Sequence, residues 1–161
     1  HDRYIFNGLK KTRSFAEFDI LNALLKRNLP VPKPAAAQVI KHGLFYEADL
    51  LTHKIPDAQD LIQALRQTQP KEFYKELGGV IAKFHELGVF HADMNIQNIL
   101  QDSKGKFWLI DFDRAQILSP QAKWQQATLN RLKRSFEKER VRLDIKWSEQ
   151  NWAELMEGYK L

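Results

Sequence analysis

HADMNIQNILQDSKGKFWLIDFD, residues 91–113, joins two short apolar runs to side chains that resist burial. Asn98-Ile99-Leu100 and Phe107-Trp108-Leu109-Ile110 read as buried strands, and Asp102-Ser103-Lys104-Gly105 between them has turn chemistry. Asp93 and Asn95 precede the first run, and Asp111 and Asp113 follow the second. A hairpin with Asn98 opening its first strand and Asp111 closing its second brings both to one end. Asp93, in the loop before Asn98, falls at that end as well. Three oxygen-bearing side chains beside apolar strands suit a hard cation such as Mg2+, which takes one or two carboxylates and completes its coordination with substrate phosphates. The remaining carboxylate of the three can accept the proton of a hydroxyl nucleophile.

Working outward, Thr12 to about Asn28 has helical periodicity, with Phe18, Ile20, Leu21, Leu24 and Leu25 as its apolar set. Glu17 falls inside that apolar arc and so points toward the protein. It is either the capping-box partner of Ser14 or one half of an ion pair, and the residues alone favour the cap. LPVPKP, residues 29–34, is extended linker. AAAQVI and GLFYEADLL, split by Lys41-His42-Gly43, form a hairpin, and Ile55-Pro56-Asp57 breaks its second strand. Asp57 is expected to cap a short helix reaching about Arg66. Pro70 opens a longer helix with Phe73, Leu77, Val80, Ile81, Phe84 and Leu87 on one side, and Gly88 stops it. Two more helices are expected over about 121–138 and 148–159.

The chain of 161 residues is long enough for one domain with a real core, or for most of one lobe of something larger. It contains no cysteine, which excludes disulfides and thiolate metal sites. No apolar run approaches about 18 residues, so no transmembrane helix is expected. The first residues carry no initiator Met and no signal-peptide core, and the chain is expected to be part of a longer protein. The net charge of +5 is concentrated between Lys123 and Lys146, where eight basic residues face three acids. Such a surface attracts phosphates, nucleic acid or anionic lipid, or is simply a solvated helix face. No groove-reading motif supports nucleic acid.

His91-Ala92-Asp93, four residues, Asn98, a strand pair, then Asp111-Phe112-Asp113 resembles the catalytic and metal loops of the protein-kinase-like fold. The order upstream agrees: a Glu-bearing helix, a hairpin, a hinge-like break, and a long helix ending just before the motif. Asp113 departs from the family pattern, which has glycine there, and no Ala-Pro-Glu follows. These departures point away from protein kinases and toward small-molecule and lipopolysaccharide-sugar kinases. The runs TRSFAEFDILNAL, LPVPKP, AQDL, HADMNIQNIL, WLIDFDRA and LNRLKRSFEKE resemble the 3-deoxy-D-manno-octulosonic acid (Kdo) kinase family of lipopolysaccharide inner-core biosynthesis in Gram-negative bacteria.

The resemblance implies an α+β, protein-kinase-like fold. Residues 1–54 would be the end of the N-lobe (Glu helix, hairpin, hinge) and 55–161 a helical C-lobe with the catalytic and metal loops. It implies ATP-dependent phosphorylation of the 4-hydroxyl of Kdo on a lipid A precursor, at the cytoplasmic face of the inner membrane. Asp93 would be the catalytic base, Asn98 and Asp111 the Mg2+ ligands, and Glu17 the partner of a lysine on the nucleotide phosphates. His91 would support the loop, and Asp113 would be a supporting or substrate contact. No Gly-rich loop and no strand lysine precede Glu17, so residues 1–161 alone are expected to be inactive. The basic 123–146 segment would meet the Kdo carboxylate and lipid A phosphates, with Trp124, Trp147 and Trp152 either near a membrane surface or in the core. Rival readings are a heptose or aminoglycoside-type kinase of the same fold and a non-catalytic kinase-like binding module.

Overall fold

The first long helix, α1, runs Arg13–Leu25 in the computed structural model, which describes residues 4–160. It buries Leu21 and Leu24 on one stripe, as its periodicity requires. Its start differs from expectation, because Thr12 is the N-cap and makes no side-chain capping bond. Ser14 Oγ donates instead to the Gln38 carbonyl at 3.1 Å, and the Glu17 carboxylate bonds a residue far along the chain. Partners brought in by the fold displace the local capping box.

Strands β1 (Tyr4–Ile5), β2 (Pro34–His42) and β3 (Phe45–Thr52) form an antiparallel sheet in the order β1-β3-β2, and α1 packs against it. Gly43, at φ +63, takes the left-handed position in the β2–β3 turn. Residues 29–34 are extended as read, yet they are not a free tether. Leu29 and Val31 are buried, and the Leu109 N–H donates to the Pro30 carbonyl at 3.0 Å.

Strand β4 (Gln59–Asp60) leads directly into the one-turn helix α2 (Leu61–Ala64). Its cap is Asp60, whose carboxylate accepts the Gln63 N–H at 2.8 Å, rather than Asp57. The cause is tertiary. Gln59 and Asp60 are held extended by Gln101 and Leu100, so the helix cannot begin earlier, and Asp57 occupies a left-handed turn at φ 52. Helix α3 (Phe73–Glu86) starts three residues after Pro70, which serves the preceding turn. It buries Phe73, Leu77, Ile81 and Phe84. Leu87, expected on the same face, is 41% exposed because the helix stops at Glu86 and Gly88 turns the chain at φ +74.

Strand β5 (Val89–Phe90) pairs with β8 (Gln116–Ile117), and between them lies the hairpin of β6 (Ile99–Gln101) and β7 (Phe107–Leu109), with Ile99 opposite Leu109. Its turn is organised by Asp102, whose carboxylate accepts the N–H groups of Lys104 and Lys106 and the Trp108 indole, all within 3.0 Å. Helix α4 (Ala122–Leu143) runs a turn longer than expected, and α5 (Glu149–Lys160) lies on α3. A β-carbon on Gly158 would collide with the Lys75 carbonyl, and one on Gly78 with the Leu155 carbonyl, so these two helices touch backbone to backbone.

A continuous core runs from Leu21 and Leu24 through Leu77, Phe84 and Phe112 to Phe136 and Leu155. Each large apolar side chain buried there contributes about 1.5–3 kcal/mol. Trp147 belongs to it, stacked on Phe136 at 5.6 Å, and the Trp152 ring also meets Phe136. Trp124 packs its ring edge-on to His85. For Trp147 and Trp152 the core alternative holds over the membrane one. Among the described residues no helix is long and apolar enough to cross a membrane.

Candidate active site

The loop before β6 is shaped by its own side chains. Asn95 caps a 3-10 turn, Ile96–Asn98, by accepting the N–H groups of Gln97 and Asn98 at 2.8 and 3.1 Å. Asn98 therefore closes that turn rather than opening the strand. Its side-chain nitrogen donates to the Asp93 carbonyl at 2.9 Å, which leaves Oδ1 as the atom free to meet a cation. The Asn95 amide donates to Asp93 Oδ2 at 3.0 Å and so orients the exposed carboxylate.

His91 ties this loop to the segment after β7. It is 2% exposed, its Nδ1 accepts the Asp93 N–H at 3.3 Å, and its Nε2 lies 3.0 Å from the Ile110 carbonyl. An accepting Nδ1 requires the proton on Nε2, which then donates to Ile110. Burial pushes the imidazole pKa down, so this neutral tautomer is the resident form. The Ile110 N–H returns a bond to the Asn98 carbonyl at 3.0 Å, which sets Asp111 beside Asn98.

Asp111 is in the left-handed region at φ 62, a conformation that few non-glycine residues adopt without support. Support comes from both sides. Phe112 is buried against the Phe84 and His91 rings, and its N–H donates to Glu17 Oε1 at 3.0 Å. Asp113 forms a two-pronged ion pair with Arg13, whose Nε donates to Asp113 Oδ1 at 2.5 Å while Nη2 meets Oδ2. Arg13 and Glu17 are one helical turn apart on α1, so a single helix face grips Phe112 and Asp113. Burial raises the Glu17 pKa, the Phe112 N–H opposes that rise, and the nearby Asp111 charge adds to it. Among the described residues no lysine pairs with Glu17.

Two clefts meet here. One, of about 300 Å³, is lined by Asp93, Asp111, Asp113, Arg13, Arg114 and Arg131. The other, of about 430 Å³, lies under the β2–β3 hairpin, with Glu17, Leu50, Ile55, Leu100, Ile110 and Asp111 on its walls. Asp111 faces both. Asp93, Asn98, Asp111 and Glu17 are thus gathered in one region, although no cage of three or more His, Cys, Asp or Glu side chains forms among the described residues. One carboxylate and one amide oxygen fit an octahedral Mg2+ whose other ligands are phosphate oxygens and water.

Sequence reasoning missed two participants. Arg13 was legible as a basic residue one turn before Glu17, but nothing local connected it to Asp113. In the sequence Arg131 is one of the eight cations of the basic segment, whereas in the fold its Nη1 sits 3.6 Å from Asp93 Oδ1. Helix α4 is fixed to the loop at this point, because Ser135 Oγ accepts the Ile96 N–H at 3.1 Å.

A Glu-bearing helix against a hairpin, then a loop and strand pair presenting an Asp, an Asn and an Asp-Phe step, is the arrangement of a protein-kinase-like fold. A profile of the lipopolysaccharide kinase (Kdo/WaaP) family matches residues 1–159, and the chain belongs to that family. It is therefore a phosphotransferase. It is 51% identical over 164 residues to a 3-deoxy-D-manno-octulosonic acid kinase of Haemophilus influenzae (strain PittEE), with 98% of this chain and 68% of that protein covered. Proteins of the same description from Vibrio vulnificus (strain YJ016) and Mannheimia succiniciproducens are each 46% identical, covering 99% of this chain and 67% and 68% of their own lengths.

Proposed function

We propose that the protein transfers the γ-phosphoryl group of ATP to a hydroxyl of 3-deoxy-D-manno-octulosonic acid, the 4-hydroxyl, on a lipid A precursor in inner-core biosynthesis. The observation that carries this reading is the shared cleft: Asp93 and Asp111 line one space, and Asp111 also lines the apolar-walled cleft beneath the hairpin. Leu50, Ile55 and Leu100, which line the second cleft with Asp111, would offer the adenine an apolar surface and leave the phosphates on the Asp111 side. Residues 1–54 cover the nucleotide, and 55–161 supply the loops and the acceptor side.

Asp111 and Asn98 Oδ1 would hold Mg2+, which neutralises phosphate charge when bound. Asp93 accepts the proton of the acceptor hydroxyl as its oxygen bonds the γ-phosphorus and the bond to the ADP oxygen breaks. Glu17 acts at one remove, holding the Phe112 N–H and with it the Asp111 carboxylate. Little covalent chemistry is required of the protein, so positioning and charge neutralisation supply most of the rate. Because the acceptor is a lipid, the enzyme works peripherally at the cytoplasmic face of the inner membrane.

The test is mass spectrometry of the lipid precursor after incubation with the full-length protein, ATP and Mg2+. Addition of one phosphate to the sugar acid is expected. A phosphate found on a heptose, or none at all, overturns the reading.

A further inference from the structure

A third groove, of about 280 Å³, runs from Asp93 along α4. Arg131, Arg134 and Lys138 line its helix side, spaced by three and four residues and so stacked on one face over two turns. Asn95 and Gln97 of the catalytic loop line the other side. The two walls are fastened together by the Ile96 N–H to Ser135 Oγ bond, so the cations are held in place relative to Asp93.

The charges on α4 are not equivalent. Lys133, off this face, is satisfied by Glu137 and Glu149, and Arg142 takes up the charge of the buried Glu139 at the groove's far end. Among the described residues Arg134 and Lys138 have no ion-pair partner, and Arg131 reaches only Asp93. A solvated helix face does not require unpaired cations to line up beside a hydroxyl-activating carboxylate. An anionic acceptor does. Arg134 and Lys138 stand about 5 and 11 Å along the helix axis from Arg131, within reach of an oxyanion on the acceptor whose hydroxyl meets Asp93.

We infer that this groove is the acceptor subsite, in which Arg131, Arg134 and Lys138 bind an oxyanion carried by the acceptor: the sugar acid's carboxylate or a phosphate of its lipid. The inference rests on the reading of Asp93 as the acceptor-side carboxylate.

Calorimetric titration without ATP tests it, comparing the full-length wild type with Arg134→Gln, Lys138→Gln and the double variant. Both positions are exposed, so the fold is undisturbed. The probes are free 3-deoxy-D-manno-octulosonic acid, its methyl ester, the phosphorylated lipid precursor, and anionic vesicles without acceptor. The double variant is expected to bind an anionic acceptor about tenfold or more weakly. A loss seen with the free acid and absent with its methyl ester assigns the site to the carboxylate. A loss confined to the lipid precursor assigns it to the phosphate. Equal binding by variant and wild type, no binding of either acceptor by wild type, or a loss confined to bare vesicles overturns the subsite. Because no turnover is required, a protein that binds this way without transferring phosphate would sink the proposed reaction alone. An active enzyme whose variants bind unchanged would sink the subsite alone.

Discussion

Arg13 and Asp113 stand one hundred residues apart in the chain and meet in a two-pronged ion pair at the mouth of the cleft. The pair occupies the position where the wider fold family has a glycine, and it joins the first helix to the segment carrying Asp111. Arg13→Ala and Asp113→Ala should each lower stability, and the double variant should be no worse than the poorer single. With both partners partly exposed, the coupling is expected at about 1 kcal/mol. Thermal unfolding of the four proteins measures it, and strict additivity would show that the two residues act independently.

Asp93→Asn keeps the shape and the bond from Asn95 but removes the carboxylate proposed to accept the proton. Phosphoryl transfer should fall by about 10²–10⁴-fold while ATP affinity stays within about twofold. Single-turnover kinetics with a separate nucleotide-binding titration distinguishes the two. A variant with unaltered transfer would remove Asp93 from the chemistry.

Asp111→Asn should leave the hairpin intact and raise the Mg2+ concentration for half-maximal activity by about tenfold or more. Adding a chelator to wild type should abolish transfer, and restoring Mg2+ should recover it. A variant with the wild-type Mg2+ dependence would exclude Asp111 as a ligand.

Glu17 allows a pH test with a definite sign. Its folded-state pKa is raised by burial, so its contribution to stability is complete below the ordinary glutamate pKa and is lost as pH rises through the raised value. Glu17→Gln retains an acceptor for the Phe112 N–H without that titration. Its stability relative to wild type should therefore increase as pH rises from the ordinary glutamate pKa through the raised one, and then level off. Glu17→Ala also removes the titration but leaves the Phe112 N–H without its partner, so it should lie about 1–3 kcal/mol below Glu17→Gln at every pH. Chemical denaturation across pH reads both curves.

His85 should impose the opposite slope. Burial lowers its pKa to about 4, its Nδ1 lies 2.8 Å from the Tyr159 hydroxyl, and among the described residues its Nε2 has no partner to welcome a second proton. The unfolded chain takes up protons below about pH 6.5 while the folded one does not, so stability is lost as pH falls from there toward 4. The loss amounts to about 2 kcal/mol at pH 5. His85→Asn, which keeps an oxygen near the Tyr159 hydroxyl, should lack this dependence. Parallel pH profiles for the two proteins would refute it.

The central hairpin and the approach of Asp93, Asn98 and Asp111 were legible because turn chemistry and strand length act over a few residues. What the chain did not disclose was set by distant partners. Ser14 and Glu17 have capping-box spacing, yet β2 and Phe112 claim them. Asp57 is as good a cap as Asp60 until Leu100 and Gln101 hold Gln59-Asp60 extended. Trp147 lies among basic residues in sequence, and only the stacking ring of Phe136, eleven positions earlier, reveals it as core. For Asp113, the readable hint was a charge where the family pattern has glycine, together with an unassigned Arg13 on the same helix face as Glu17.

The bonds from Arg13 and Glu17 to the Asp111 segment make two apparent degrees of freedom into one. A shift of α1 by a single turn, about 5.4 Å, would break both at once and leave a left-handed aspartate without its bracing. Where α1 lies and where the Asp111 carboxylate points are therefore one coordinate. Anything that pushes on the helix, from the hairpin side or from the nucleotide, also sets the aim of Asp111.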